Sequence, residues 1–289
     1  MIQSELRLDR LSVSYSELGE GTPTLVLLHG LASNQRIWDL VAPQLATRHH
    51  IYTYDQRGHG NSEKPNSGYD FKTITDDLHS FLNKLNITKP ILIGHSWGAN
   101  VAVNYASTYP HTLSGICLVD GGFIEISKIP ENTLSKALIS MAPPDFTKYT
   151  QSDFQQRLHQ RDWGEQDETS NAADLTEIVL SNFVIQPNGK IHPKFSRSNH
   201  MQVIEAFWNH QPSELFPDIT CPVLYLPARM PDNTSHRNSM KDDMIRLASE
   251  SLTTFNTIWL ENSIHDVPIQ KPELLSSIIL SEIDKGFFD

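Results

Sequence analysis

Five short apolar runs, separated by stretches with helical spacing, constrain this chain more than any other feature of it. LVLL (Leu25–Leu28), IYTY (Ile51–Tyr54), ILI (91–93), GICLV (Gly115–Val119) and VLYL (Val223–Leu226) are too short for helices and too continuously apolar for half-exposed strands. Such runs read as strands buried on both faces of a parallel sheet. Between them lie amphipathic segments. Residues 37–45 carry a helical stripe of Ile37, Leu40, Val41 and Leu45, and residues 73–85 place Ile74, Leu78, Phe81, Leu82 and Leu85 on one face. Repeated strand–helix units imply a mainly parallel twisted sheet with helices on both faces, an α/β fold. Residues 4–9 and 11–16 alternate as a short antiparallel pair, TIWL (257–260) supplies a last strand, and residues 237–250 and 272–285 supply the last helices.

The alternation stops after residue 122 and resumes near 218. The chain therefore divides into a first core part (1–122), a mostly helical insertion (123–217) and a second core part (218–289). Within the insertion, Asn188-Gly189 between Val184-Ile185 and Ile191 signals a hairpin. A helical block inserted between sheet strands is expected to cap the strands' C-terminal ends, where open α/β sheets bind ligands. Its stripe of Leu175, Ile178, Val179 and Phe183 reads as the insertion's own core. Other aromatic residues there, with Leu31 and Trp97, are expected to line an apolar cleft.

GHSWG (94–98) lies between the ILI strand and the helical run ANVAVNYASTY. A serine on a sharp strand-to-helix turn needs glycine neighbours for room, and the helix behind it presents free N–H groups and a positive dipole end. Ser96 is thus placed as a nucleophile. A hydroxyl attacks only if a base takes its proton, and the base needs a third group to orient it. Of 13 histidines, His265 stands where the last strand gives way to the last helix, at the sheet edge of Ser96. His49, His50, His159, His200 and His210 read as surface or satisfied histidines, and His95 as packing support.

The motifs HG (29–30), DQRGHGNS (55–62), GHSWG (94–98) and HDVPIQKP (265–272) occur in that order. With them the chain resembles the α/β-hydrolase superfamily, in particular its capped, esterase-like serine hydrolases, over nearly the whole core. The resemblance implies a Ser-acid-His triad and an oxyanion hole made by the backbone N–H groups of Trp97 and Leu31. His29, Gly30 and Phe123 are expected at the substrate pocket, although His29-Gly30 also reads as an ordinary strand-ending turn. The loop 55–62 reads as structural. The acid is Asp120, at the end of GICLV with Gly121 and Gly122 behind it, or alternatively Asp232. The usual family position after the VLYL strand holds Pro231, one residue before Asp232.

The expected function is hydrolysis of carboxylic esters or lactones with apolar acyl or aromatic groups, through an acyl-enzyme on Ser96 with His265 as general base. C–C bond hydrolases, thioesterases and cofactor-free haloperoxidases of the same fold remain as alternatives, as does a ligand-binding module that kept the scaffold without turnover. Dehalogenase and epoxide-hydrolase chemistry needs a carboxylate nucleophile, which Ser96 is not. No cofactor or metal is expected. With 34 acidic against 23 basic residues the net charge is −11, which disfavours nucleic acid and anionic membranes as partners. Cys117 and Cys221 sit in apolar strand contexts and read as buried thiols. The first residues lack an apolar signal region, no window has membrane-spanning length, and a cytoplasmic location is expected.

Overall fold

A computed structural model describes residues 2–230 and 236–289. Twelve strands are found among these residues. β1 (Ile2–Arg7), β2 (Ser12–Leu18), β3 (Leu25–Leu28), β4 (Ile51–Tyr54), β5 (Ile91–His95) and β6 (Gly115–Val119) precede the insertion. β7 (Phe183–Ile185) and β8 (Ile191–Pro193) lie within it, and β9 (Val223–Leu226), β10 (Ala228–Arg229), β11 (Phe255–Thr257) and β12 (Leu260–Glu261) follow. Eight form one sheet in the order β1-β2-β4-β3-β5-β6-β9-β11. β1, β2 and β4 pair antiparallel, and every pairing from β4 to β11 is parallel.

The central strands are buried at every position because their alternate side chains feed two cores. Leu25, Leu27, Ile91, Ile93, Cys117, Val119, Leu224 and Leu226 face one layer. Val26, Leu28, Leu92, Ile116, Leu118, Val223 and Tyr225 face the other. Each such side chain taken fully out of water contributes about 1.5–3 kcal/mol before the entropy of ordering it. The second layer is completed by α2 (Phe71–Lys84), capped by the Asp70 carboxylate on the Thr73 N–H at 2.9 Å, and by α3 (Trp97–Thr108). The first is completed by α11 (Pro272–Asp284).

Three segments differ from their sequence expectation. Residues 37–45 do not form one helix. A 3₁₀ turn spans Gln35–Trp38, and α1 (Ala42–Leu45) starts afresh with Pro43 in its first turn. The buried Asp55 carboxylate takes the Gln35 N–H at 2.8 Å and the Asn34 side chain takes that of Arg36, so tertiary partners hold the entry to this segment. The last sheet strand is Phe255–Thr257 rather than 257–260. Pro227 on the facing strand has no N–H to give, so the ladder breaks there and reforms as the β10–β12 pair, with Leu260 N–H donating to the Pro227 carbonyl at 2.8 Å. In the antiparallel pair the first strand begins two residues earlier than read from the sequence and the second one residue later.

The insertion holds α4 (Leu134–Ser140), α5 (Gln151–Gln160), α6 (Ala172–Leu180), the β7–β8 hairpin, α7 (Arg197–Asn209) and α8 (Pro212–Leu215). Its ends are clasped by Glu125, whose carboxylate accepts from the Ser213 N–H at 2.9 Å and its hydroxyl at 2.6 Å. It is tied to the core loops elsewhere. Asn34 Nδ2 donates to Asn182 Oδ1 at 2.6 Å, Arg161 pairs with Asp266 at 2.7 Å, and the Ser170 hydroxyl donates to the Ile269 carbonyl at 2.6 Å. α9 (His236–Ser251) and α10 (Val267–Gln270) complete the second core part. No helix among the described residues is long and apolar enough to cross a membrane.

Candidate active site

β5 runs into α3 through a single residue, Ser96, at φ 55° and ψ −122°. This left-handed backbone is costly for any residue but glycine, and it persists because the surroundings leave no alternative. The approach of the two elements explains the flanking glycines. A Cβ on Gly94 would strike the Gly98 carbonyl, one on Gly98 would strike the Leu28 carbonyl, and one on Gly121 would strike the Ser96 carbonyl. Three chain segments therefore meet at backbone distance around the serine. The Ser96 N–H is spent on the Val119 carbonyl at 3.0 Å, which fixes the turn against β6.

His265 comes from the loop between β12 and α10, and Asp120 from the end of β6. The Ser96 hydroxyl donates to His265 Nε2 at 2.8 Å, and His265 Nδ1–H donates to Asp120 Oδ2 at 2.7 Å. The other carboxylate oxygen, Oδ1, accepts from the Ala228 N–H at 2.9 Å and from Lys241 Nζ at 2.6 Å. Asp120 also has positive φ, 43°, and the glycines behind it let the chain turn away. Burial pushes the Asp120 carboxyl up. The hydrogen bonds and charges of His265 and Lys241 outweigh it and hold the group well below the usual carboxylate range. For His265, burial pulls the imidazole down, but the hydrogen bond and charge of Asp120 prevail and raise it above its usual value. Asp232 lies outside the described residues.

Two further histidines shape the site without joining this relay. His95 is buried, its Nε2–H donates to the His265 carbonyl at 2.8 Å, and burial pushes it down to about 4. It stays neutral and holds the loop that carries His265. His59 Nδ1–H donates to the Arg57 carbonyl at 2.9 Å, so its Nε2 is free to accept the Ala32 N–H at 3.1 Å. That bond shapes the turn of residues 30–33, which includes Leu31. The Trp97 N–H opens α3 next to Ser96, where helix amides lack partners within the helix. His59 was not singled out in the sequence, although it lies in the 55–62 motif. Lys241 had no signal at all, since no motif surrounds it and its partner is 121 residues away.

A cavity of about 550 Å³ opens over Ser96 and His265. Ile124, Ile126, Ile129, Met141, Phe207 and Met240 give it an apolar wall, with Asn132, Ser140 and Lys241 among the polar groups. Trp97 lines it as expected from the sequence; Leu31, which packs against the core, Phe123, His29 and Gly30 do not. Phe123 is fully buried, packed on Tyr225 and Phe216 with ring centroids 4.7 and 5.0 Å apart, because its position follows directly on the β6 turn into the core. His29 is fully buried too; its Nδ1–H donates to the Gly30 carbonyl and its Nε2 accepts the Gln56 N–H. Gly30 packs beneath Ser96, where a Cβ would come within 3.1 Å of the serine Cβ. Of the other histidines, His200 and His210 are buried rather than at the surface. His200 Nε2–H donates to the Met141 carbonyl, and His210 stacks on Phe71 at 3.8 Å. Cys117 is buried and Cys221 half-buried, both as free thiols.

A family model described as alpha/beta hydrolase fold matches residues 23–218. Among curated proteins, 2-(acetamidomethylene)succinate hydrolase of Mesorhizobium japonicum is 32% identical over 119 residues, 41% of this chain and 42% of that protein. Soluble epoxide hydrolase of a Corynebacterium species is 40% identical over 92 residues, 32% of each chain. These alignments span less than half the length of the curated relatives they match. The crystal structure of E-2-(acetamidomethylene)succinate hydrolase aligns with a TM-score of 0.77 over 98% of this chain and 99% of that one, at 23% identity. A thermophilic esterase from Thermogutta terrifontis aligns with a TM-score of 0.72 over 99% of both chains, at 18% identity. At these identities the structural likeness is one of fold.

Proposed function

The chain belongs to the alpha/beta hydrolase fold family, and on that premise we propose that it is a serine hydrolase cleaving carboxylic esters or lactones with apolar acyl or aromatic groups. One observation carries the reading. Ser96, His265 and Asp120 stand in an unbroken hydrogen-bonded line, 2.8 and 2.7 Å between partners, at the floor of an apolar cavity.

His265 Nε2 takes the hydroxyl proton as Ser96 Oγ bonds to the substrate carbonyl carbon. The imidazolium so formed is held by Asp120, which keeps its own charge. The N–H groups of Trp97 and Leu31 receive the oxyanion of the tetrahedral intermediate, and loss of one such donor typically costs about 3–4 kcal/mol of barrier. Collapse re-forms the carbonyl and breaks the bond from its carbon to the leaving oxygen, and His265 gives its proton to that alkoxide. Water, deprotonated by the same imidazole, then attacks the acyl carbon; the bond to Ser96 Oγ breaks, the acid leaves, and His265 returns the proton to Ser96. The insertion acts as the cap that keeps the acyl group dry. A serine at position 96 speaks against transferring the activity of the epoxide hydrolase relative.

A fluorophosphonate probe tests this reading. It should label the wild type at Ser96 and leave Ser96→Ala unlabelled, and short nitrophenyl esters should be turned over by the wild type alone. An unlabelled wild type, or turnover that survives in Ser96→Ala, removes the assignment. Labelling without turnover of any ester moves it to a binding module.

A further inference from the structure

Lys241 is the feature of this site that the triad chemistry leaves unexplained. It rises from α9, is only 5% exposed at the side chain, and spends two of its ammonium hydrogens 2.6 Å from Asp120 Oδ1 and 2.6 Å from the Ala228 carbonyl. The same Asp120 oxygen already accepts the Ala228 N–H, so Lys241 and one peptide group grip a single carboxylate oxygen from two sides. A carboxylate orienting a histidine can be held by neutral donors alone. A full positive charge beside it changes how strongly it draws a proton to the imidazole.

We propose that Lys241 is a positioning residue that fixes the Asp120 carboxylate and offsets its pull on the His265 proton, so that the imidazole remains a base near neutral pH. The inference rests on the serine-hydrolase reading of the site. Asp120 raises the proton affinity of His265, and the Lys241 charge acts on the ring in the opposite direction. Among the described residues, three further titratable groups bear on the ring or its carboxylate partner. His95, from β5, is buried and neutral and donates to the His265 carbonyl. Asp266, on the same loop, favours the imidazolium but is paired with Arg161 at 2.7 Å. The Tyr225 phenol, on β9, is held far from ionisation by burial, with the Asp120 charge adding to it. Among the described residues, Lys241 is therefore the cation set against the Asp120 charge from a separate element.

The protonation of His265 can be read directly. The His265 imidazole is titrated by NMR in the wild type, Lys241→Gln, Lys241→Met and Lys241→Arg, its signal identified by loss in His265→Gln. The rate of fluorophosphonate labelling is followed over the same pH range. In Lys241→Gln and Lys241→Met the titration should move to higher pH. Labelling near pH 7 should slow about tenfold and recover in more alkaline buffer. Lys241→Arg should stay close to the wild type. Should Lys241→Met fail to fold, Lys241→Gln, which keeps a hydrogen bond to Asp120, carries the comparison. A folded Lys241→Gln protein whose His265 titrates as in the wild type overturns the proposal, as does an arginine variant that shifts as far as the glutamine one. The NMR titration needs no turnover, so a wild type that the probe does not label counts against the hydrolase reading while leaving the Lys241 result interpretable.

Discussion

Asp120 sits where three demands meet: it turns the chain after β6, orients His265 and neutralises Lys241. Replacing it by asparagine keeps the shape but lets the amide donate where a carboxylate accepted, favouring the wrong imidazole tautomer. In Asp120→Asn, kcat/KM for a nitrophenyl ester should fall about 10³–10⁴-fold with little change in fold by circular dichroism; a loss of less than tenfold contradicts the role. The pH profile follows from the same contact. His265 is raised above its ordinary 6.5, and only the neutral ring can accept the serine proton. Activity should be low on the acid side and rise with pH through a limb lying above 6.5, and in Asp120→Asn what remains should have its limb at lower pH. A wild-type limb below 6.5 contradicts the Asp120–His265 contact. At this scale the sequence spoke clearly for Ser96, whose glycines announce a crowded turn, and for His265, placed by the element that follows it. It left two readings for the acid. It was silent on Lys241, because a side chain reaching from one element to another leaves no local pattern.

The elements were legible wherever burial was two-sided. β3 to β6 and β9 fall on the apolar runs that named them, since a strand with both faces in the core has no polar positions to blur it. Expectation failed where a partner decided. The 37–45 stripe does bury Ile37, Val41 and Leu45, but contacts with Asp55 and the proline in the next turn break it in two. The last strand shifted because Pro227 interrupts the ladder from across the gap. The 55–62 loop reads correctly as structural. Arg57 and Asp77, about 6% and 5% exposed, pair at 2.6 and 3.0 Å and join that loop to α2. Removing one member leaves a buried charge alone. Asp77→Ala should therefore lose about 3–5 kcal/mol of stability by urea unfolding, and an effect below 1 kcal/mol contradicts a buried pair of this kind.

At the scale of the molecule, the insertion between β6 and β9 supplies most of the apolar wall over Ser96. Its existence was legible from the break in alternation. Which of its aromatic residues face the cavity was not, because Phe146, Phe154 and Phe183 pack on one another and Phe195 stacks on His59. Phe207 alone of the aromatic residues read there lines the space. If this space holds the acyl group, narrowing it should discriminate by chain length. Ile129→Trp should lower kcat/KM for long-chain nitrophenyl esters roughly tenfold or more while leaving the acetate ester nearly unchanged. Equal effects on both contradict the assignment of the cavity.

The proposed reaction turns on a covalent bond to one oxygen. Enzyme quenched in acid during turnover of a short nitrophenyl ester, digested and read by mass spectrometry, should carry the acyl group on the peptide containing Ser96. In His265→Ala that adduct should all but vanish. An acyl group on another residue, or undiminished acylation without His265, contradicts the account.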